Sequence, residues 1–94
     1  MYALQAHRAQ VESVIRAAIT VTVPAERIGH IEITEREDST GDEAFFIDVF
    51  LKDLSGNFGG SVYLTLINAV RLALIEIGEQ RFPFIRVRFE AVAA

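Results

Sequence analysis

The spacing of apolar residues along the chain changes repeatedly, and each change predicts a new element of secondary structure. Between residues 3 and 20, apolar side chains recur at the spacing of an amphipathic helix. This helix must end before Pro24, whose ring removes a backbone donor, so we expect an extended exit over residues 21–23. A second and more apolar helix is predicted over about residues 61–77, with Gly78 in the left-handed position that closes it.

Three further segments alternate between apolar and polar side chains, as half-buried β-strands do. They span residues 30–37, 44–52 and 84–90, and a polar segment centred on Gly41 joins the first two into a predicted hairpin. The order of elements is α-β-β-α-β, which predicts a two-layer α+β sandwich with both helices on one face of a three-stranded sheet. Since no further element remains, we expect the other face of the sheet to be uncovered.

Composition adds a partner surface to this picture. The chain has 94 residues, of which 51% are hydrophobic and 23% charged, as is typical of a single globular domain, here residues 1–94. A domain of this size hides only part of so many large apolar side chains, so we expect some of them to contact a partner. The alternative is an ordinary core with scattered exposed apolar atoms. The formal net charge of −4 argues against non-specific nucleic-acid binding, which needs a basic face.

Several classes of site are excluded or disfavoured by the residues present. The chain contains no cysteine, which excludes disulfides and Cys-based zinc sites. The carboxylates of the predicted hairpin lack the spacing of a calcium loop, so we interpret them as a solvated acidic tip and predict no metal and no cofactor. The N-terminal segment lacks the pattern of a signal peptide, and residues 62–77 are too short and too interrupted by polar side chains for a membrane span. We therefore expect a cytoplasmic protein.

The uncovered sheet face carries the candidate interaction residues. Aromatic and arginine side chains are enriched in protein interfaces, so this face predicts a homodimer or another protein partner. The same residue types stack on bases and hold phosphates where a sheet binds single-stranded RNA, which is the alternative prediction, and a plain solvated surface is the third. No set of nucleophile, base and oxyanion donors can be assembled, so we predict a non-catalytic module and not an enzyme. The candidate residues are Phe46, Asp48, Phe50, Phe84, Arg86 and Arg88.

The segment GNFGG, residues 56–60, precedes the second helix and is a candidate anion-binding loop. A P-loop would require a lysine that is missing here, and a dinucleotide fingerprint would require a different glycine spacing. The segment also resembles the GxxG loop of KH RNA-binding domains, although that loop joins two helices and usually carries basic residues. We interpret it as a bend that needs glycine and that is followed by a helix N-cap. Anion binding would involve Gly56, Asn57, Gly59, Gly60 and Ser61, of which Ser61 is the predicted N-cap.

The last part of the chain carries a family resemblance. The stretch GEQRFPFIRV, which follows the long second helix, resembles the endings of small bacterial proteins of unassigned function. The resemblance covers only the last sixth of the chain and contains no chemical motif. It implies an α-β-β-α-β fold and a bacterial cytoplasmic setting, and it implies no activity.

Overall fold

The computed structural model describes residues 7–52 and 60–90. Within them the elements follow the predicted order α-β-β-α-β, so the α+β fold class is confirmed. A single 3₁₀ turn, which the sequence did not predict, precedes the first strand. The elements are α1 (Arg8–Thr22), the 3₁₀ turn (Ala25–Arg27), β1 (Ile28–Glu37), β2 (Glu43–Leu51), α2 (Gly60–Glu76) and β3 (Phe82–Phe89).

Helix α1 continues further than its sequence predicts. It ends at Thr22, so the prediction of an extended exit from residue 21 was wrong by two residues. The backbone N–H of Val23 still donates to the Ile19 carbonyl oxygen at 2.8 Å, and Pro24 follows at once. Proline has no backbone N–H, so the first helical hydrogen bond to be lost is that of residue 24. The residues before it can still donate, and the helix therefore continues to Thr22. The predicted start at residue 3 lies outside the described residues.

The sheet has the strand order β1-β2-β3, with β2 in the centre. Strands β1 and β2 form the predicted antiparallel hairpin, whose loop contains Gly41 at a φ of 90°. Strands β2 and β3 are parallel, so α2 is the crossover that connects them. Each of the three strands starts and ends within two residues of its predicted bounds.

The core consists of apolar side chains from both helices and from one face of the sheet, packed in one cluster. Each helix contributes buried residues at helical spacing, and β2 contributes alternate residues, as the period of each element requires. This cluster is the inner layer of the predicted sandwich. Its central members are Val11, Ile15 and Ile19 of α1, Leu66, Val70 and Leu74 of α2, and Phe45, Ile47, Val49 and Leu51 of β2.

The two ends of α2 differ in how well they were predicted. The helix begins at Gly60, so Ser61 lies inside its first turn and the prediction of Ser61 as the N-cap was wrong. At the other end Gly78 has a φ of 78°, as predicted. The N–H groups of Gly78 and Glu79 donate to the carbonyl oxygens of Ile75 and Leu74, which is the Schellman arrangement of a helix C-terminus. Neither α1 nor α2, the helices of the described residues, is long and apolar enough to cross a bilayer.

Candidate interaction surface

The side of the sheet that points away from the core, which we call the outer face, is not covered by any element of the described residues. The six predicted residues all lie on it as three cross-strand pairs between β2 and β3. Phe46 lies opposite Phe84, Asp48 opposite Arg86, and Phe50 opposite Arg88. The outer face also includes Arg36, Thr34, Glu32 and His30 of β1, Ala44 of β2 and Phe82 of β3.

One end of the outer face is aromatic. The Phe46 and Phe84 rings stack with their centroids 5.1 Å apart, and the Phe82 ring lies 4.8 Å from that of Phe84. The guanidinium of Arg36 lies 3.9 Å from the centre of the Phe46 ring, a cation–π contact. Phe82 and Phe84 remain 42% and 37% exposed. Phe82 was not among the predicted residues, because β3 was expected to begin only at residue 84.

Asp48 lies in the middle of the outer face and binds both neighbouring arginines. Its carboxylate accepts from Arg86 Nε at 2.9 Å and from Arg86 Nη2 at 3.4 Å, and Arg88 Nε approaches at 3.3 Å. Asp48 is largely buried by these side chains, whereas each arginine stays about half exposed. Two cations around one carboxylate leave this part of β3 positively charged.

The opposite end of the outer face holds His30, which was not among the predicted residues. Its ring stacks on Phe50 with centroids 4.2 Å apart and planes inclined by 8°. Its Nδ1 atom lies 3.4 Å from Glu90 Oε1, and its Nε2 atom lies 3.7 Å from Glu32 Oε1. Two carboxylates therefore lie next to the β1 strand at this end.

A glycine makes the position of Glu90 possible. A Cβ atom on Gly29 would lie 1.3 Å from Glu90 Oε1, so the space that a side chain would fill at residue 29 is taken by the Glu90 carboxylate. Glu90 follows β3, yet its carboxylate reaches across the sheet to β1 beside His30. The register irregularity between Ile28 and His30 places this glycine there. In the sequence, Gly29 is the one sign of the contact between Glu90 and His30, and it does not identify Glu90 as the residue that approaches.

The free edges of the sheet carry blocking groups. The N–H of Asp38 donates to the Asp42 carbonyl oxygen, so Asp38 directs its backbone groups toward β2. Successive residues of an antiparallel strand direct these groups toward and away from the partner strand in turn. The carbonyls of Ile31 and Ile33, an odd number of residues from Asp38, therefore point away from β2. Arg16 Nη2 donates to the Ile31 oxygen at 3.3 Å, and Arg8 Nη2 donates to the Ile33 oxygen at 3.4 Å. Helix α1 therefore occupies the β1 edge with its arginines.

The β3 edge is blocked in a different way. The hydroxyl of Tyr63 donates to the Ile85 carbonyl, and Pro83, on the same edge, has no N–H to offer. An added strand would need these groups for its own hydrogen bonds. Of the surfaces of the sheet, the outer face and not an edge is therefore open to association, while α2 separately exposes Leu64, Leu72 and Ile75.

A second polar cluster lies behind the sheet and was also missed. Glu79, only 3% exposed, accepts from Arg81 Nη2 at 2.8 Å and from Arg81 Nε at 3.0 Å. Arg81 Nη1 reaches Glu35 at 2.6 Å, and its guanidinium lies 4.2 Å from the Phe45 ring centre. The hydrogen bond to Glu79 raises the pKa of Arg81 above its usual value. This cluster ties the α2–β3 connection to β1, which is a structural role, and both Glu79 and Arg81 belong to the GEQRFPFIRV stretch.

The candidate anion loop is mostly outside the described residues, which include only Gly60 and Ser61 of it, in the first turn of α2. Nothing therefore tests the roles predicted for Gly56, Asn57 and Gly59. Among the described residues no cluster of three histidine, aspartate or glutamate side chains is placed to hold a metal ion.

Comparison with known proteins does not assign the chain to a family. No protein-family model, no curated protein and no solved structure matches it significantly.

Proposed function

We propose that the protein is a non-catalytic interaction module that forms a homodimer through the outer face. The observation that carries the proposal is the aromatic end, where Phe84 stacks on Phe46 and contacts Phe82. Phe82 and Phe84 still expose about two-fifths of their surface on a face that no element of the described residues covers. Exposed aromatic clusters of this kind are typical of the anchors of protein interfaces. The bacterial cytoplasmic setting stays a prediction of the sequence.

The size of the aromatic contribution sets the expected affinity. A phenylalanine side chain presents on the order of 200 Å², so the exposed fractions of Phe82 and Phe84 amount to about 80 Å² each. Burying that area contributes about 2 kcal/mol per ring, or about 8 kcal/mol for the four rings of two copies. Association itself costs roughly 4–15 kcal/mol, so the four rings alone would give a dissociation constant of about 1 mM at best. A dimer in the micromolar range therefore requires that the other side chains of the outer face contribute as well.

The ring contacts favour a protein partner over RNA. Bases stack on open aromatic faces. Here Arg36 covers Phe46 from the β1 side and Phe84 covers it from the β3 side. His30 covers Phe50 in the same way. Asp48 also holds the arginines that would otherwise contact phosphates.

A non-catalytic role is part of the same proposal. The carboxylate at the centre of the outer face, Asp48, already accepts hydrogen bonds from two arginines, so its oxygens are engaged within the sheet. His30 is stacked on Phe50 and flanked by carboxylates, so its ring nitrogens already have neighbours. These groups hold one another in place and present no paired acid and base to a substrate.

Sedimentation velocity over about 1–300 µM protein tests the proposal directly. We expect a concentration-dependent dimer that Phe84→Asp abolishes while circular dichroism shows the fold intact. Leu72→Asp is the matched control, because Leu72 is 61% exposed and lies on α2, away from the outer face. A monomer throughout this range would refute the homodimer, and a dimer that only Leu72→Asp disrupts would refute the outer face as its interface. Salt-sensitive binding of a single-stranded oligonucleotide by a monomer would favour the RNA alternative instead.

A further inference from the structure

A cleft of about 490 Å³ lies where the end of α2 meets the start of β3. Its apolar walls include Leu74 and Ile75 of α2 and Phe82 and Pro83 of β3, and Arg71 of α2 also lines it. Every residue that lines the cleft belongs to the described part of the chain. Clefts of this volume, with apolar walls and a few polar groups, are typical of sites for small molecules.

Arg71 is a charged group of this cleft without an ionic partner among the described residues. Its guanidinium lies 5.2 Å from the centre of the Phe82 ring, a cation–π contact. Arg71 is exposed, and none of the ion pairs of the described residues includes it. The other charged residues of the cleft, Glu79 and Arg81, bind each other, and Arg81 also binds Glu35. One positive charge therefore remains uncompensated beside apolar walls.

We propose that the cleft binds a small carboxylic acid, whose carboxylate contacts Arg71 and whose apolar group lies between Ile75 and Phe82. A planar guanidinium can donate two parallel hydrogen bonds to a carboxylate, and such charge-assisted bonds are stronger than neutral ones. One unpaired guanidinium matches a single negative charge, which favours a monocarboxylate over a phosphate group with nearly two charges. Such a site goes beyond the proposed homodimer and does not require it.

The apolar side chains beside Arg71 provide the second part of the recognition. Residues four apart lie on the same side of a helix, so Ile75 lies next to Arg71 along α2. Ile75 is 62% exposed and Phe82 is 42% exposed, although both are large apolar residues. An apolar ligand between them would cover part of this surface. It would also keep water from the guanidinium, which strengthens a hydrogen bond to a carboxylate.

Two sources of negative charge near the cleft are directed elsewhere. Glu76 lies about 140° around the helix axis from Arg71 and does not line the cleft. The carbonyl groups at the C-terminus of a helix carry partial negative charge, but their effect is confined to the last turn. Arg71 precedes that turn, and the carbonyl oxygen of Leu74 already accepts from the N–H of Glu79. An anion is therefore attracted to the Arg71 end of the cleft.

Phenylacetate and phenylacetamide test the charge requirement, because they have nearly the same shape and only the first is an anion near neutral pH. Titrations of the whole chain to about 20 mM ligand, followed by NMR amide signals, measure both affinities. We expect phenylacetate to shift the signals of Ile75, Gly78 and Gln80 with a dissociation constant in the millimolar range, as is usual for so small a ligand. Phenylacetamide should bind at least about fivefold more weakly.

Two matched pairs of variants locate the site. Arg71→Met should weaken phenylacetate binding at least about fivefold, whereas Arg8→Met removes an exposed arginine of α1 outside the cleft and should leave binding unchanged. Ile75→Ser removes an apolar wall and should weaken binding at least about threefold. Its control is Leu72→Ser, because Leu72 is as exposed as Ile75 on the same helix but does not line the cleft. Circular dichroism checks that each variant is folded.

Three results would overturn the carboxylate site. The absence of a saturable shift with phenylacetate, or equal binding of the amide, would show that Arg71 is an ordinary solvated cation. Binding that Arg71→Met leaves unchanged, or that Arg8→Met or Leu72→Ser weakens as much, would place the acid elsewhere on the surface. Each result can be read from a monomer, so a failure of the homodimer leaves the test intact.

Discussion

Replacing Arg81 by Met removes a guanidinium that binds Glu79 and Glu35 but keeps an unbranched side chain that can still cover the Phe45 ring. The Glu79 carboxylate loses the two side-chain hydrogen bonds from Arg81, while the bond from the Arg81 backbone N–H at 3.0 Å remains. Glu35 keeps its contact with Arg8. The damage is thus concentrated on Glu79.

The expected magnitude follows from burial. Removing one partner of a fully buried ion pair costs about 3–5 kcal/mol, because a charge is left in a poorly solvated place. Here the Glu79 side chain is inaccessible and that of Arg81 is nearly so, but the remaining backbone donor offsets part of the loss. We expect Arg81→Met to lower the free energy of unfolding by about 3 kcal/mol. In a domain of this size the melting temperature should fall by roughly 12–24 °C.

Two comparison variants isolate the cause. Arg8→Met removes the other arginine on Glu35, but Arg8 is about half exposed, so its ion pairs should contribute no more than about 1 kcal/mol. Glu79→Leu/Arg81→Met replaces both buried charges, and an apolar residue after Gly78 suits the Schellman arrangement. The double variant should therefore be more stable than Arg81→Met alone.

Urea unfolding followed by circular dichroism measures these differences. The raised pKa of Arg81 means that its stabilisation is complete below the usual arginine pKa and is lost only at still higher pH, so the cost should be constant from about pH 6 to about pH 9. An Arg81→Met variant within about 1 kcal/mol of wild type, or no less stable than Arg8→Met, would show that the buried pair does not hold the α2–β3 connection.

Two further stability predictions concern turns. Gly78→Ala should cost about 1 kcal/mol or more in urea unfolding because Gly78 has a φ of 78°, whereas Gly60→Ala at the other end of α2 should be neutral or slightly stabilising, since a Cβ there meets nothing within 4 Å. Equal losses at both positions would contradict this reasoning. Asp38 accepts from the Thr40 side chain and backbone, which lowers the pKa of Asp38, so its support of the hairpin turn should be present above its unfolded pKa of about 3.9 and lost as the pH falls through the lower folded value. The amide signals of Thr40 and Asp42 should follow that titration in NMR spectra, and Asp38→Asn should remove it.

The order of elements was predictable because the period of apolar residues is a local property. Alternation in β2 placed Phe45 and Ile47 inside and Phe46 and Asp48 outside, as the structure has them. The start of β3 was not predictable in this way. Proline usually interrupts a strand, so the sequence suggested that β3 starts after Pro83. In the structure Pro83 lies within β3 and its nitrogen is on the free edge, where the missing N–H removes no hydrogen bond to β2.

Contacts that depend on register or on distant segments were out of reach of the sequence. Glu79 and Arg81 are close in sequence, but their burial depends on Glu35 and Phe45 from the other side of the fold. The reach of Glu90 to His30 depends on the irregularity before His30. The period of apolar residues shows which face of the sheet or helix a side chain occupies. These contacts depend instead on the register between strands, which the period does not determine.

The blocked edges and the open outer face together favour a closed assembly. Arg8 and Arg16 hold carbonyl groups of the β1 edge, and Tyr63 and Pro83 limit the β3 edge, so a sheet that extends from copy to copy would have to displace them. A two-fold contact uses the same surface on both copies and is therefore complete when two have met. In the proposed homodimer the outer face of each copy would be used once, and growth of the sheet beyond a dimer would have to displace the groups that hold its edges. A three-stranded domain can thus expose an aromatic face for one specific contact without offering its edges to aggregation.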